Sequence, residues 1–115
     1  MSLRALRGMN DILPPEVSLW QEIEEQAKRL FNRYGYHEIR TPLLEEAGLF
    51  NRTIGETTNI VEKEMYLFQD RNEKWVSLRP EGTASVVRAY IEHNLSAEDP
   101  ISRFYYSGPM YRYER

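Results

Sequence analysis

The sequence contains no cysteine, which excludes disulfides and thiol chemistry and fits a reducing compartment. Histidine is nearly absent too. His37 and His93 are the only two and stand far apart, so there is no zinc-ligand spacing. Neither lies near a motif serine, so no nucleophile–base pair can be drawn. There is no run of about 18 apolar residues, and hence no segment that reads as membrane-spanning. No signal peptide is recognisable, which makes the cytoplasm the expected location. Phosphate-cradling glycine loops of the Walker or G-x-G-x-x-G type are missing. Any phosphate chemistry must therefore rest on arginine and positioning. Lysine occurs only at 28, 63 and 74, and the other basic residues are all arginine. Arginine's planar fork suits carboxylates and phosphates, although a genomic or thermophilic bias explains the same skew. A formal charge of −3 is not the footprint of a stand-alone nucleic-acid binder.

What is present is enough for one ordinary domain or a piece of a larger one. At 115 residues the chain can bury roughly two-thirds of its unfolded surface. Residues 4–14 read as an irregular lead-in whose apolar side chains pack on the domain. A helix is expected from about Pro15 to Tyr34. Val17, Trp20, Ile23, Ala27, Leu30, Phe31 and Tyr34 form one apolar stripe, and Glu24–Lys28 and Glu25–Arg29 are i,i+4 pairs. Gly35 is its natural stop. Residues 36–40 read as a short strand ended by Thr41-Pro42. Residues 45–51 read as a short helix and 53–59 as a loop. A β-hairpin is expected from strands at 65–69 and 74–78 around the turn 70–73. A helix follows over 81–94. Strands are expected at 104–106 and 110–115, with Gly108-Pro109 as a bulge or kink between them. The pattern is α+β, an antiparallel sheet flanked by helices.

Two stretches carry candidate chemistry. Leu78-Arg79-Pro80-Glu81-Gly82-Thr83 reads as a strand end turning directly into a helix. Pro80 suits a helix entry, and Glu81 falls where unpaired N–H groups carry partial positive charge. On local physics, dipole complementation accounts for Glu81 at least as well as ligand binding. In the second stretch, strand alternation puts Met110, Arg112 and Glu114 on one face, and Tyr111, Tyr113 and Arg115 on the other. Arg112 suits a phosphate and Glu114 an amine donor; a cross-strand salt bridge is the competing reading.

Five blocks then stand in a recognisable order. They are Arg7-Gly8-Met9-Asn10-Asp11-Ile12-Leu13-Pro14, Tyr34-Gly35-Tyr36-His37-Glu38-Ile39-Arg40-Thr41-Pro42, Val61-Glu62-Lys63-Glu64-Met65-Tyr66, Leu78-Arg79-Pro80-Glu81-Gly82-Thr83, and Gly108-Pro109-Met110-Tyr111-Arg112-Tyr113-Glu114-Arg115. Together they resemble the N-terminal part of the catalytic domain of bacterial-type histidyl-tRNA synthetases, which are class II aminoacyl-tRNA synthetases. The resemblance covers essentially everything from Leu6 to Arg115.

The resemblance implies a class II catalytic-domain fold and an enzyme that uses ATP with Mg²⁺ to convert L-histidine to histidyl-adenylate. The histidyl group is then passed to tRNA(His). The helix over 15–34 and the strand ending at Pro42 are similar to the first class II signature, which implies a homodimer interface that includes Pro42. By the same resemblance Arg112 contacts the ATP α-phosphate and the substrate carboxylate, Glu114 lies towards adenine, and Glu81 and Thr83 grip the α-ammonium of histidine. No protein-held metal is implied. The sequence stops inside the second signature. The chain over 1–115 is therefore expected to be a catalytic-domain portion without the anticodon-binding domain, inactive alone. Two alternatives are a non-catalytic regulatory subunit of ATP phosphoribosyltransferase and a ligand-free dimerisation fragment. The intact Pro80-Glu81-Gly82-Thr83 block speaks for the synthetase.

Overall fold

The computed structural model describes residues 2–54 and 64–113, with backbone alone at 51–54. The chain forms two compact units, residues 1–36 and 37–115.

The first unit is a lead-in and one helix. The lead-in turns once, where Met9 N–H donates to the Leu6 carbonyl at 2.9 Å and Gly8 takes a φ of +82°. The expectation that its apolar side chains are buried does not hold: Leu6 is 72% and Leu13 64% exposed. A stretch with so little regular structure builds no apolar surface of its own to cover them. Helix α1 spans Glu16–Arg33, with Pro15 at its N-cap. Its end follows from Gly35, which accepts a φ of +77° that a side chain would resist. Tyr36 N–H then reaches the Phe31 carbonyl at 2.9 Å and Gly35 N–H the Asn32 carbonyl at 3.2 Å. These are the paired bonds of a Schellman stop, and the Phe31 and Tyr36 rings meet over them at 5.9 Å. Glu25 and Arg29 form the expected i,i+4 pair, at 3.4 Å on the exposed face.

The second unit holds two small sheets. Strands β2 (Leu44–Glu46), β3 (Tyr66–Gln69) and β4 (Trp75–Leu78) form an antiparallel sheet in the order β2-β4-β3. The β3–β4 hairpin is the expected one. Its turn is closed by the Asp70 carboxylate, whose Oδ1 accepts the N–H groups of Asn72 at 2.8 Å and Lys74 at 3.0 Å. Strand β1 (His37–Glu38) is shorter than expected and pairs in parallel with β5 (Phe104–Tyr105). One parallel pair therefore joins a mainly antiparallel fold.

Residues 44–46 correct the expected helix start at Glu45. They are a strand in register with β4, Leu44 opposite Leu78 and Glu46 opposite Val76. The edge of β4 offers unpaired backbone groups, and that pairing outweighs the poor strand propensity of two glutamates. Helix α2 follows at Ala47–Ile54, running into the expected loop; residues 55–59 of that loop lie outside the described residues. Helix α3 spans Thr83–Glu92. The core between α2, α3 and the sheet is small, built on Phe50, Met65 and Ala84.

An ion pair ties α3 to the sheet. Arg88 Nε lies 2.9 Å from Glu45 Oε1, Nη2 donates to Glu45 Oε2 at 3.0 Å, and Nη1 meets Glu92 at 2.5 Å. Burial opposes the Arg88 cation, but Glu45, and then Glu92, more than offset it and raise its pKa above the ordinary guanidinium value. The Glu45 side chain is only 8% exposed. Arg88→Met therefore strands a nearly buried carboxylate, and the expected loss is about 3 kcal/mol in urea unfolding. Adding Glu45→Leu should recover most of it. A single variant as stable as wild type would show that the pair contributes nothing.

Candidate functional site

The site is the turn from β4 into α3 together with the chain segment 106–113. Pro80 is fully buried, and β4 ends one residue before Arg79. Helix α3 then begins at Thr83, two residues later than the sequence pattern places it, with Gly82 as N-cap. Glu81 stands outside the helix and turns its side chain back over the opening turn. Its Oε2 accepts Thr83 N–H at 2.6 Å and its Oε1 accepts Ala84 N–H at 3.0 Å. Two otherwise unpaired donors of the helix start are satisfied in this way. The dipole reading of Glu81 has become a specific pair of hydrogen bonds. Oε2 also accepts Ala84 N–H at 3.3 Å, so it is Oε1 that retains a second lone pair for a ligand donor.

Thr83 is exposed, and its Oγ1 lies 3.2 Å from the Tyr106 hydroxyl. Gly82 makes that approach possible, since a Cβ there would overlap the Tyr106 ring. Arg112 comes in from the far end of the chain. Its Nε donates to the Pro80 carbonyl at 3.0 Å, which places the guanidinium against the residue preceding Glu81. Among the described residues, no partner is bonded to its two terminal nitrogens. Segment 110–113 is not a formed strand, yet it bonds at alternate residues as one would. Tyr111 N–H donates to the Arg79 carbonyl at 2.9 Å and Tyr113 N–H to the Glu64 carbonyl at 2.7 Å. The Tyr113 ring meets Tyr66 edge-on at 5.7 Å.

The structure thus brings Glu81, Thr83 and Arg112 together on one turn. Glu114 lies outside the described residues, as do Val61, Glu62 and Lys63. Pro42 is exposed just ahead of β2. Tyr106 and Arg79 were not singled out by the sequence. Tyr106 stands in an expected strand like its neighbours, and only its distance from Thr83 marks it. Arg79 reads as one more arginine until its burial is seen. Chemically, the arrangement offers a carboxylate and a hydroxyl as acceptors for an ammonium, beside a flat cationic fork suited to a carboxylate or phosphate.

Residues 8–115 match the model of the family described as histidyl-tRNA synthetase. The histidine–tRNA ligase of Geobacter metallireducens is 61% identical over 113 residues, which is 98% of this chain and 27% of that protein. Apo histidyl-tRNA synthetase of Staphylococcus aureus superposes with a TM-score of 0.81 at 42% identity, covering 97% of this chain and 26% of the other. A Bacillus halodurans protein described as an ATP phosphoribosyltransferase regulatory subunit/histidyl-tRNA synthetase superposes at 0.78 with 26% identity, over 100% of this chain and 29% of its own. The chain spans about 27% of the length of the curated relatives it matches. With a family match over residues 8–115 and the motif residues gathered at one turn, the chain belongs to the histidyl-tRNA synthetase family.

Proposed function

We propose that this chain is the N-terminal portion of the catalytic domain of an enzyme that activates L-histidine with ATP and transfers it to tRNA(His). The observation that carries the reading is the placement of the Arg112 guanidinium on the carbonyl that precedes Glu81. Glu81 and Thr83 receive the α-ammonium of histidine. Arg112 receives its carboxylate and the α-phosphate of ATP, and the family resemblance assigns Glu114, outside the described residues, to the adenine. The carboxylate is ionised at neutral pH, so it attacks phosphorus without a general base, and pyrophosphate leaves. The chain's own contribution is alignment and charge stabilisation. Mg²⁺ accompanies the ATP phosphates, where it neutralises charge. Among the described residues no group of three or more acidic or histidine side chains could hold it independently. No helix among the described residues is long and apolar enough to cross a membrane.

The test is ATP–pyrophosphate exchange by a protein of the relatives' full length that carries this sequence. Exchange dependent on histidine, and on no other standard amino acid, is expected. Its absence in a folded protein would favour the regulatory-subunit reading. That reading has less behind it, since the neighbour whose description includes it is 26% identical, against 61% for the Geobacter metallireducens ligase.

The assembly proposed is a homodimer through α1 and the segment ending at Pro42. Helix α1 buries no residue, and Trp20, Ile23 and Leu30 on its apolar stripe are 48%, 64% and 51% exposed. A symmetric pairing of two copies would cover such a stripe. Sedimentation should give twice the chain mass at micromolar concentration, and a compact monomer at high concentration would count against it.

A further inference from the structure

We propose that Arg79 is a positioning residue for this site: its buried guanidinium staples the segment bearing Arg112 to the turn bearing Glu81. The inference rests on the reading of Arg112 given above and extends it to a residue that meets no substrate.

Arg79 is 5% exposed. Its Nε donates to the Pro109 carbonyl at 3.0 Å, and its Nη1 reaches the Thr41 carbonyl at 3.4 Å and the Thr41 hydroxyl at 3.3 Å. Its backbone N–H donates to the Leu43 carbonyl and its own carbonyl accepts Tyr111 N–H, both at 2.9 Å. One residue thus ties its own turn to two segments remote in sequence, 41–43 and 109–111. All the side-chain acceptors are neutral, and among the described residues no carboxylate pairs with it. A buried cation without a counter-charge is costly, so a role of filling space would favour an apolar side chain. The guanidinium instead supplies several donors in one rigid plane, which fixes direction as well as distance.

The segment 109–112 has no strand ladder to hold it. Three bonds tie it to the turn: the Arg79 side chain to Pro109, Tyr111 N–H to the Arg79 carbonyl, and the Arg112 side chain to Pro80. Two of the three run through Arg79. Gly108 shows the fit from the other side, since a Cβ there would stand 2.6 Å from Arg79 Nη2 and push the guanidinium from its place. Glu81 and Thr83 are held independently, by the start of α3 and by the Arg88–Glu45 pair. Disturbing Arg79 should therefore misaim Arg112 and leave the ammonium pocket intact.

The experiment compares Arg79→Lys and Gly108→Ala in the full-length protein, each alone and combined with Arg112→Ala, by pyrophosphate exchange per folded enzyme. Lysine keeps the charge but cannot serve the Pro109 and Thr41 acceptors together. Gly108→Ala leaves Arg79 in the chain and is the deciding variant if Arg79→Lys does not fold. Each single change should lower kcat about fivefold to tenfold, below the roughly 10²-fold that a 1 Å misplacement can cost. With rates taken per folded enzyme, so that an unfolded fraction does not enter, the KM for histidine should move less than kcat. In the Arg112→Ala background neither change should lower the rate further by more than about twofold. A wild-type kcat in a folded single variant, or an undiminished further loss in the Arg112→Ala background, overturns the proposal. Wild-type exchange by Arg112→Ala alone overturns instead the reading of Arg112 on which it rests.

Discussion

Replacing Arg112 by alanine in the full-length protein is expected to lower histidyl-adenylate formation by about 10²–10³-fold, the loss typical of one transition-state donor. The charge on the α-phosphate is greatest when phosphorus is pentavalent, so an interaction there contributes to kcat more than to ground-state binding. The geometry makes the residue suitable. Its Nε is occupied by the Pro80 carbonyl at 3.0 Å, which fixes the plane of the guanidinium and leaves its terminal nitrogens to a ligand. Arg112→Lys should restore little. A single ammonium cannot hold the Pro80 carbonyl and also present two parallel donors. Near wild-type exchange by Arg112→Ala would sink the assignment.

Glu81→Gln is expected to separate the capping role of this side chain from its proposed role in binding the substrate ammonium. The carboxylate accepts from Thr83 N–H at 2.6 Å and from Ala84 N–H at 3.0 Å. Glutamine has one acceptor oxygen where glutamate has two, and its amide nitrogen would face a second donor. The capping loss should cost about 0.5–2 kcal/mol of stability. If Glu81 also pairs with the substrate ammonium, a charge-assisted bond becomes a neutral one. The difference of about 1.4 kcal/mol raises the histidine KM roughly tenfold, while the KM for ATP barely moves. Histidinol keeps the ammonium and lacks the carboxylate, so its affinity should fall in parallel. Thr83→Val should act in the same direction and more weakly, since it removes one neutral acceptor and the partner of the Tyr106 hydroxyl. Unchanged histidine and histidinol affinities with a lowered melting temperature would leave Glu81 as a helix cap and nothing more.

The local signals in the chain were accurate where the physics is local. The stop of α1 at Gly35 depends on one φ angle and two bonds within six residues, all visible as a glycine after an apolar stripe. The β3–β4 hairpin likewise follows from two short apolar runs and Asp70 between them. The strand at Leu44–Glu46 was not legible. Two glutamates before an alanine read as a helix start, and only the free edge of β4, whose paired residues lie at least 30 positions away, makes them a strand. The same pairing carries the Glu45 side chain to Arg88, where it is nearly buried.

By itself, the sequence determined the family, the mixed α+β class and the motif residues Glu81, Thr83 and Arg112. Those rest on residue identity and short spacing, which the chain carries whether folded or not. The tertiary structure alone decided that Glu81 turns back to cap α3, that Tyr106 meets Thr83, and that Arg112 is seated on Pro80. It also decided that Arg79 is buried across three segments. Each of these except the Glu81 cap joins residues at least 23 positions apart. Local patterning carries no information about such pairs, because their cost is the closure of a long loop and their gain appears only once the loop has closed.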